Sequence, residues 1–350
     1  MKHSSPILTL QQLRLGYGQH SAVQVVADAL QEDVKFQEMI ALIGPNGTGK
    51  STLLRTMARM QQPLSGEIIL QGNNMAGMSA KEIARNVSVI LTDRADVSSI
   101  KAAEVVAMGR FPHTGWLGFL SATDQQKIDQ AIAQTHIEPL LEKPLHQLSD
   151  GERQKVMIAR ALAQDTPLML LDEPTTHLDI ANRVNIMQLL RSLVREAQKT
   201  IILSTHDLEL ALQVADRLWL MHDRSLTSGA PEDLVLNGSL ARVMGSKHAP
   251  FDPQSGTFRV QHPKHYCISL EGSGTIADWT RLALERVGYQ VQSNTTTNAA
   301  STSVIITTHG EWQLRQANQQ HICHTIEELL QQLSTAIRKA PSVPNPLDNA

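Results

Sequence analysis

The sequence has little cysteine, no excess of positive charge and no long apolar run. Two cysteines, Cys267 and Cys323, are too few for a disulfide framework, which suits a reducing cytosol. A net charge of -3 and a pI near 6.5 leave no basic field to capture nucleic acid by phosphate contacts alone, so no nucleic acid partner is expected. Apolar runs such as IALI (40–43) and LMLL (168–171) fall far below the roughly 18 residues that span a bilayer. The N-terminal stretch MKHSSPILTLQQ holds no hydrophobic signal core. A cytosolic chain is expected, unless a partner draws it to a membrane. Internal repeats are absent too.

A length of 350 residues is enough for about two domains, each with its own core. Residues 7–250 alternate short apolar runs with amphipathic helices, the pattern of an α/β domain with a largely parallel sheet. KFQEMIALIG, PLMLLDEP and TIILSTHD have the near-continuous apolar character of strands buried on both faces. Between the first two, about 93–164, EVVAMGR, ATDQQKIDQAIAQTHIEPLL and ERQKVMIARALA form a helical insert. Turn formers gather in GSKHAPFDPQSG, which predicts a domain boundary there, with a first domain over 1–245 and a linker over 246–262. A small α+β domain is expected over 263–338, then a Pro-rich disordered tail over 339–350.

GPNGTGKST fits the phosphate-loop pattern G-x-x-x-x-G-K-[ST], directly after a strand and directly before a helix. Gly44, Pro45, Asn46, Gly47, Thr48 and Gly49 form the loop, whose glycines let backbone N–H groups curl around phosphate oxygens. Lys50 would reach the β- and γ-phosphates of ATP, and Ser51, beside Thr52 at the helix start, would hold Mg²⁺. The strand LMLLDEP ends in Asp172, placed to bind Mg²⁺ through water, followed by Glu173, a candidate base for the attacking water. His206 in ILSTHD ends a third strand. Strand ends of an open parallel sheet meet at one edge, where ligands bind, so His206 could donate to the γ-phosphate. A second helix start, LSDGERQ, has the S-x-x-E spacing of a capping box in Ser149 and Glu152, with Gly151 keeping the turn open.

GPNGTGKST, LSDGE, LMLLDEP, HLD and STHD, in this order, closely resemble the ATPase subunit of ABC transporters over about residues 7–245. The resemblance implies a P-loop fold with a helical subdomain. It implies two copies packed head to tail, each ATP lying between the phosphate loop of one and the signature helix of the other. Ser149, Asp150, Gly151 and Glu152 would then serve a nucleotide held by the partner. Asp179 in HLDI matches the loop that communicates across the dimer, and Tyr17 in LGYG the aromatic that stacks on adenine. Two departures stand out. LSDGE replaces the usual LSGGQ, and Thr92, followed by Asp93, stands where the family has a glutamine that touches Mg²⁺.

VVAMGRFPHTGWLGFLSATD and TTHLDIANR further resemble the ATPases that power uptake of iron-siderophores, haem and cobalamin. That implies a homodimer bound to two separate transmembrane permease subunits and a solute-binding protein, at the cytoplasmic face of the inner membrane. The stretch around Thr92–Leu120, with Gly115, Trp116 and Phe119, would grip the permease or form a local core. The alternative is a soluble, non-transport ABC ATPase, but relatives of that kind carry two cassettes or a long coiled coil, and this chain has one GKST and no heptad run. A guanine-specific N-K-x-D is also missing. In the C-terminal hundred residues, HPKHYC and HICH group both cysteines with histidines. These are either ordinary strand and loop residues or, if two strand faces meet, a tetrahedral set of His265, Cys267, His321 and Cys323.

Overall fold

The computed structural model of the chain describes residues 5–18, 23–91, 99–115, 118–245, 249–253, 255–293, 302–307, 310–316 and 319–339. They fall into two compact units, one up to Arg259 and one from Val260. In the first, β1 (Leu8–Tyr17) and β2 (Gln24–Val34) pair antiparallel before β3 (Met39–Ile43) enters a second sheet and leads into α1 (Lys50–Met57). β4 (Ser65–Leu70) returns to β1 and is flanked by β5 (Asn73–Asn74). α2 (Ala80–Ala84) and β6 (Val87–Ile90) precede a helical block of α3 (Ala102–Met108), α4 (Ala122–Thr135) and α5 (Asp150–Ala163). β7 (Leu168–Asp172), α6 (Ile180–Arg195), β8 (Thr200–Ser204), α7 (Leu208–Val214), β9 (Arg217–His222) and β10 (Ser225–Gly229) complete the second sheet. α8 (Pro231–Leu236), α9 (Ser239–Met244) and the hairpin of β11 (Phe251–Asp252) with β12 (Thr257–Phe258) end the unit.

The second sheet has the order β10-β9-β3-β8-β7-β6, parallel except for the β9–β10 hairpin. Its central strands are apolar throughout because successive side chains feed different cores. Met39, Met169, Leu171, Ile201 and Leu203 pack under α5 and α6. Ile40, Leu42, Leu168, Leu170 and Ile202 pack with α1 and the antiparallel sheet. That antiparallel sheet is not foreseen by the parallel pattern of the sequence.

α4 stops at Thr135, short of the expected extension to Leu141, because His136 takes a left-handed conformation (φ 54) that caps it. The helical block is tied together by a buried ion pair. Arg110 and Asp124 are 4% and 6% exposed, with Arg110 Nε donating to Asp124 Oδ1 at 2.9 Å and its Nη1 to the Ala163 carbonyl at 2.8 Å. The Ser121 hydroxyl and backbone N–H, together with Arg110, hold the Asp124 carboxyl at about 2, below its ordinary 3.8. Its folded pKa is depressed, so the stabilisation is present above pH 3.8 and is lost as pH falls towards 2. Asp124→Asn strands a buried guanidinium and is expected to cost about 3–5 kcal/mol near neutral pH. Urea unfolding of the full chain checks this: the gap from wild type should shrink on acidification, and a pH-independent gap would refute the ion-pair account.

The expected linker over 246–262 is only partly a linker. Phe251 is 7% exposed and packs with Leu208 and Leu240, so the β11–β12 hairpin belongs to the first unit. Burying an aromatic ring stabilises a contact that a free linker would not make.

In the second unit, β13 (Tyr266–Glu271), α10 (Thr275–Arg286), β14 (Tyr289–Ser293), β15 (Ser303–Ile306), β16 (Trp312–Gln316), β17 (Gln319–Cys323) and α11 (Ile326–Lys339) build a sheet of order β14-β13-β15-β16-β17 with helices packed on it. Ile268, Leu270, Leu284, Val304, Leu314 and Leu329 fill its core. Trp312 Nε1 donates to Thr280 Oγ1 at 2.8 Å, fixing α10 to the sheet. α11 takes in Lys339, the first residue of the expected tail, and 340–350 lie outside the described residues.

This topology overturns the four-ligand metal set. Cys267 lies on β13 and Cys323 on β17, with β15 and β16 between them. Three strand steps of about 4.8 Å separate them by roughly 14 Å, beyond any shared ion. Cys267 is exposed beside Gln290 and Cys323 is buried, and no group of three or more metal-ligating side chains forms among the described residues.

Candidate functional site

β3, β8 and β7 are neighbours in the parallel sheet, so their C-terminal ends emerge side by side. After β3 the chain turns through Gly44–Gly49, with Pro45, Asn46 and Gly47 exposed at the tip. Gly49 has φ 102, and a side chain there would meet Val26 Cγ1 at 2.0 Å, so backbone and space both require glycine. Thr48 Oγ1 donates to the Pro45 carbonyl at 2.9 Å and closes the loop. Lys50 is 6% exposed, its Nζ donating to the carbonyls of Gly44 at 2.8 Å and Pro45 at 3.1 Å. Burial lowers its pKa, against the opposing pull of the Glu173 and Asp172 carboxylates.

Ser51 Oγ donates to Asp172 Oδ1 at 3.1 Å, which brings the loop and the end of β7 together. Glu173 sits in a left-handed conformation (φ 50), with Thr176 Oγ1 on one carboxylate oxygen at 2.9 Å and His206 Nε2 on the other at 2.7 Å. Five expected site residues, Lys50, Ser51, Asp172, Glu173 and His206, thus belong to one cluster. Tyr17 joins its margin: the hydroxyl bonds to Thr52 Oγ1 and the ring is half exposed.

Ser149 is the N-cap of α5, and the capping box forms as the spacing predicts. Its backbone N–H and hydroxyl donate to Glu152 Oε2, each at 2.9 Å, while the Glu152 N–H donates back to Ser149 Oγ at 3.3 Å. The Ser149 N–H, then its hydroxyl, lower the Glu152 pKa, so the carboxylate that replaces the usual glutamine is an acceptor here. Ser149 and Asp150 are exposed and Gly151 is buried, where a Cβ would meet Asn182 Cγ at 2.9 Å. Asn182 lies in the first turn of α6, whose N-cap is Asp179, accepting from the Asn182 N–H at 2.7 Å. A cavity of about 150 Å³ is lined by Asp150 and Arg153 from α5 and by Asp172, Glu173 and Thr176.

Thr92, Asp93 and Trp116 lie outside the described residues; Phe119 is 78% exposed. Two hydroxyls go unmarked in the sequence: Thr176 on Glu173, and Ser204, whose Oγ contacts both Asp172 and Glu173. Thr176 lies three residues after Glu173 in the same turn, and Ser204 lies two before His206, where the pairing of β7 with β8 gives it its partners.

A family model described as "ABC transporter" matches residues 27–176, and one described as "Iron ABC transporter C-terminal domain" matches residues 265–334. The chain is 40% identical over 229 residues to the achromobactin transport ATP-binding protein CbrD of Dickeya dadantii, covering 65% of this chain and 84% of that one. It is 36% identical over 259 residues to the ferric enterobactin transport ATP-binding protein FepC of Escherichia coli K12, covering 73% and 94%. Among solved structures, a dimeric post-hydrolysis state of an ATP-binding cassette bound to ADP and Pi is similar at 25% identity, with a TM-score of 0.55, over 64% of this chain and 98% of that one.

Proposed function

This chain belongs to the ABC transporter family of ATP-binding proteins and is an ATPase, and from that premise we propose that it energises uptake of an iron-siderophore, haem or cobalamin-like substrate. In this reading two copies form a homodimer that works with two separate transmembrane permease subunits and a solute-binding protein, at the cytoplasmic face of the inner membrane. No helix of the described residues is long and apolar enough to cross a membrane. Phe111, just after α3, and Phe119, just before α4, are exposed and suit a permease contact. The observation that carries the reading is the meeting of Lys50, Ser51, Asp172, Glu173 and His206 at one edge of the parallel sheet. The likeness of 265–334 to an iron transporter domain supports iron-type cargo.

In the mechanism, the loop N–H groups and the start of α1 bind the phosphates of ATP, and Lys50 exchanges its two loop carbonyls for phosphate oxygens. Ser51 Oγ and Asp172 Oδ1 are two hard oxygen donors 3.1 Å apart, which fits Mg²⁺. Bound there, the ion supplies charge neutralisation on the β- and γ-phosphates. Glu173 takes the proton of the attacking water, and His206 orients the carboxylate from its other side. Ser149 and Gly151 close on the ATP held by the partner chain.

The test is a tagged full-length chain recovered from detergent-solubilised membranes. A polytopic membrane protein should co-purify, and Lys50→Ala should abolish cellular uptake of ferric siderophore. Recovery of the chain alone from the soluble fraction, with uptake untouched by Lys50→Ala, would favour the soluble ATPase instead.

A further inference from the structure

We propose that Ser204 is a positioning residue that holds the metal-binding carboxylate and the base in one fixed relation, an inference that rests on the ATP-hydrolysing role just described. β7 and β8 are parallel, and their register sets Ser204 directly beside Asp172. Ser204 is fully buried, at 0% exposed. Its Oγ donates to Asp172 Oδ1 at 2.6 Å and accepts the Glu173 backbone N–H at 2.9 Å.

A hydroxyl has one proton and two lone pairs. The short contact to a carboxylate uses the proton, so the Glu173 N–H has to fall on a lone pair. One buried atom therefore fixes the side chain of Asp172 and the backbone of Glu173 together. The backbone tie has a reason: Glu173 is held at φ 50, a conformation that a residue with a Cβ seldom adopts without support. The side-chain tie has one as well. Asp172 Oδ1 receives a second hydroxyl, that of Ser51, which the mechanism assigns to the ion. Ser204 is then the donor that stays, keeping the carboxylate aimed when Ser51 turns away. Packing alone does not call for a hydroxyl here, since the positions before it in the strand, Ile201, Ile202 and Leu203, are apolar and fully buried. Ligating carboxylates depend on such supporting hydrogen bonds, whose loss lowers metal affinity by about 10–100-fold.

The experiment uses the full chain with Ser204→Ala and Ser204→Thr, Mn²⁺ as the probe ion, and a non-hydrolysable ATP analogue. Mn²⁺ affinity is read by paramagnetic resonance, and analogue affinity in excess chelator by fluorescence. Ser204→Ala should weaken Mn²⁺ about tenfold while leaving chelator-state nucleotide affinity unchanged, and Ser204→Thr, which keeps the hydroxyl, should restore it. A general loosening of the fold would lower both affinities. Should Ser204→Ala fail to fold, Ser204→Cys keeps the size with a far weaker donor, and the same loss of Mn²⁺ is expected. Wild-type Mn²⁺ affinity in the folded variants would overturn the role of Ser204 and leave the ATPase reading standing. Failure of the wild-type chain to take up Mn²⁺ with the analogue would overturn both.

Discussion

Glu173→Gln is expected to keep ATP bound and to slow its hydrolysis by about 10²–10⁴-fold, the contribution typical of a positioned general base. The amide is isosteric, so the contacts of Thr176 at 2.9 Å and His206 at 2.7 Å retain partners of similar size, and the left-handed backbone need not move. What disappears is the capacity to accept a proton. Lys50→Ala should behave in the opposite way. It removes a buried ammonium that faces the loop, so nucleotide binding itself should weaken. Equilibrium binding and single-turnover hydrolysis on both variants separate the two effects. An equal loss of binding in both would mean that the roles are misassigned.

A second large effect is expected from mixing two defective chains. One carries Glu173→Gln with Lys50→Ala, the other Glu173→Gln with Ser149→Arg. If Ser149 serves the partner's ATP, each homodimer has two half-broken sites, because every sandwich contains a dead loop or a blocked signature. In the mixed dimer the defects segregate: one site receives both, and the other pairs an intact loop with an intact signature helix. A desolvated, charge-assisted phosphate contact is worth several kcal/mol, so the repaired site should hold ATP and drive dimerisation that neither parent shows. Light scattering with and without ATP would reveal it. In the single chain Ser149 is exposed and its hydroxyl donates to Glu152 at 2.9 Å in the capping box. No rescue on mixing would mean that Ser149 acts on its own chain's nucleotide.

The phosphate loop, the Asp-Glu pair and His206 were legible because each is a local pattern at a strand end, and parallel strands necessarily share that end. Ser149 and Glu152 were legible for a similar reason, as a cap spans four consecutive positions. Ser204 was not. A hydroxyl beside His206 carries no signal until strand register sets it against Asp172, and register is a property of two segments. The cysteines and histidines of the C-terminal unit show the converse failure. Their alternation is right for strands, but strand order puts β15 and β16 between them. β16 (WQLRQ) offers Trp312 and Leu314 to the core, with polar residues between. That unit matches an iron transporter domain without carrying a chemical motif, so no reading of reactive side chains could have found it.

The contact between Gly151 and Asn182 changes how the two helix starts should be regarded. A signature turn at 149–152 and an aspartate loop ending at 179 are distant in the chain, yet the missing Cβ of Gly151 is the space that the Asn182 side chain occupies. The two positions therefore share one volume. A side chain added at 151 has to displace the Asn182 amide, so a change at one position is felt at the other. The starts of α5 and α6 are thereby packed against each other through Gly151 and Asn182.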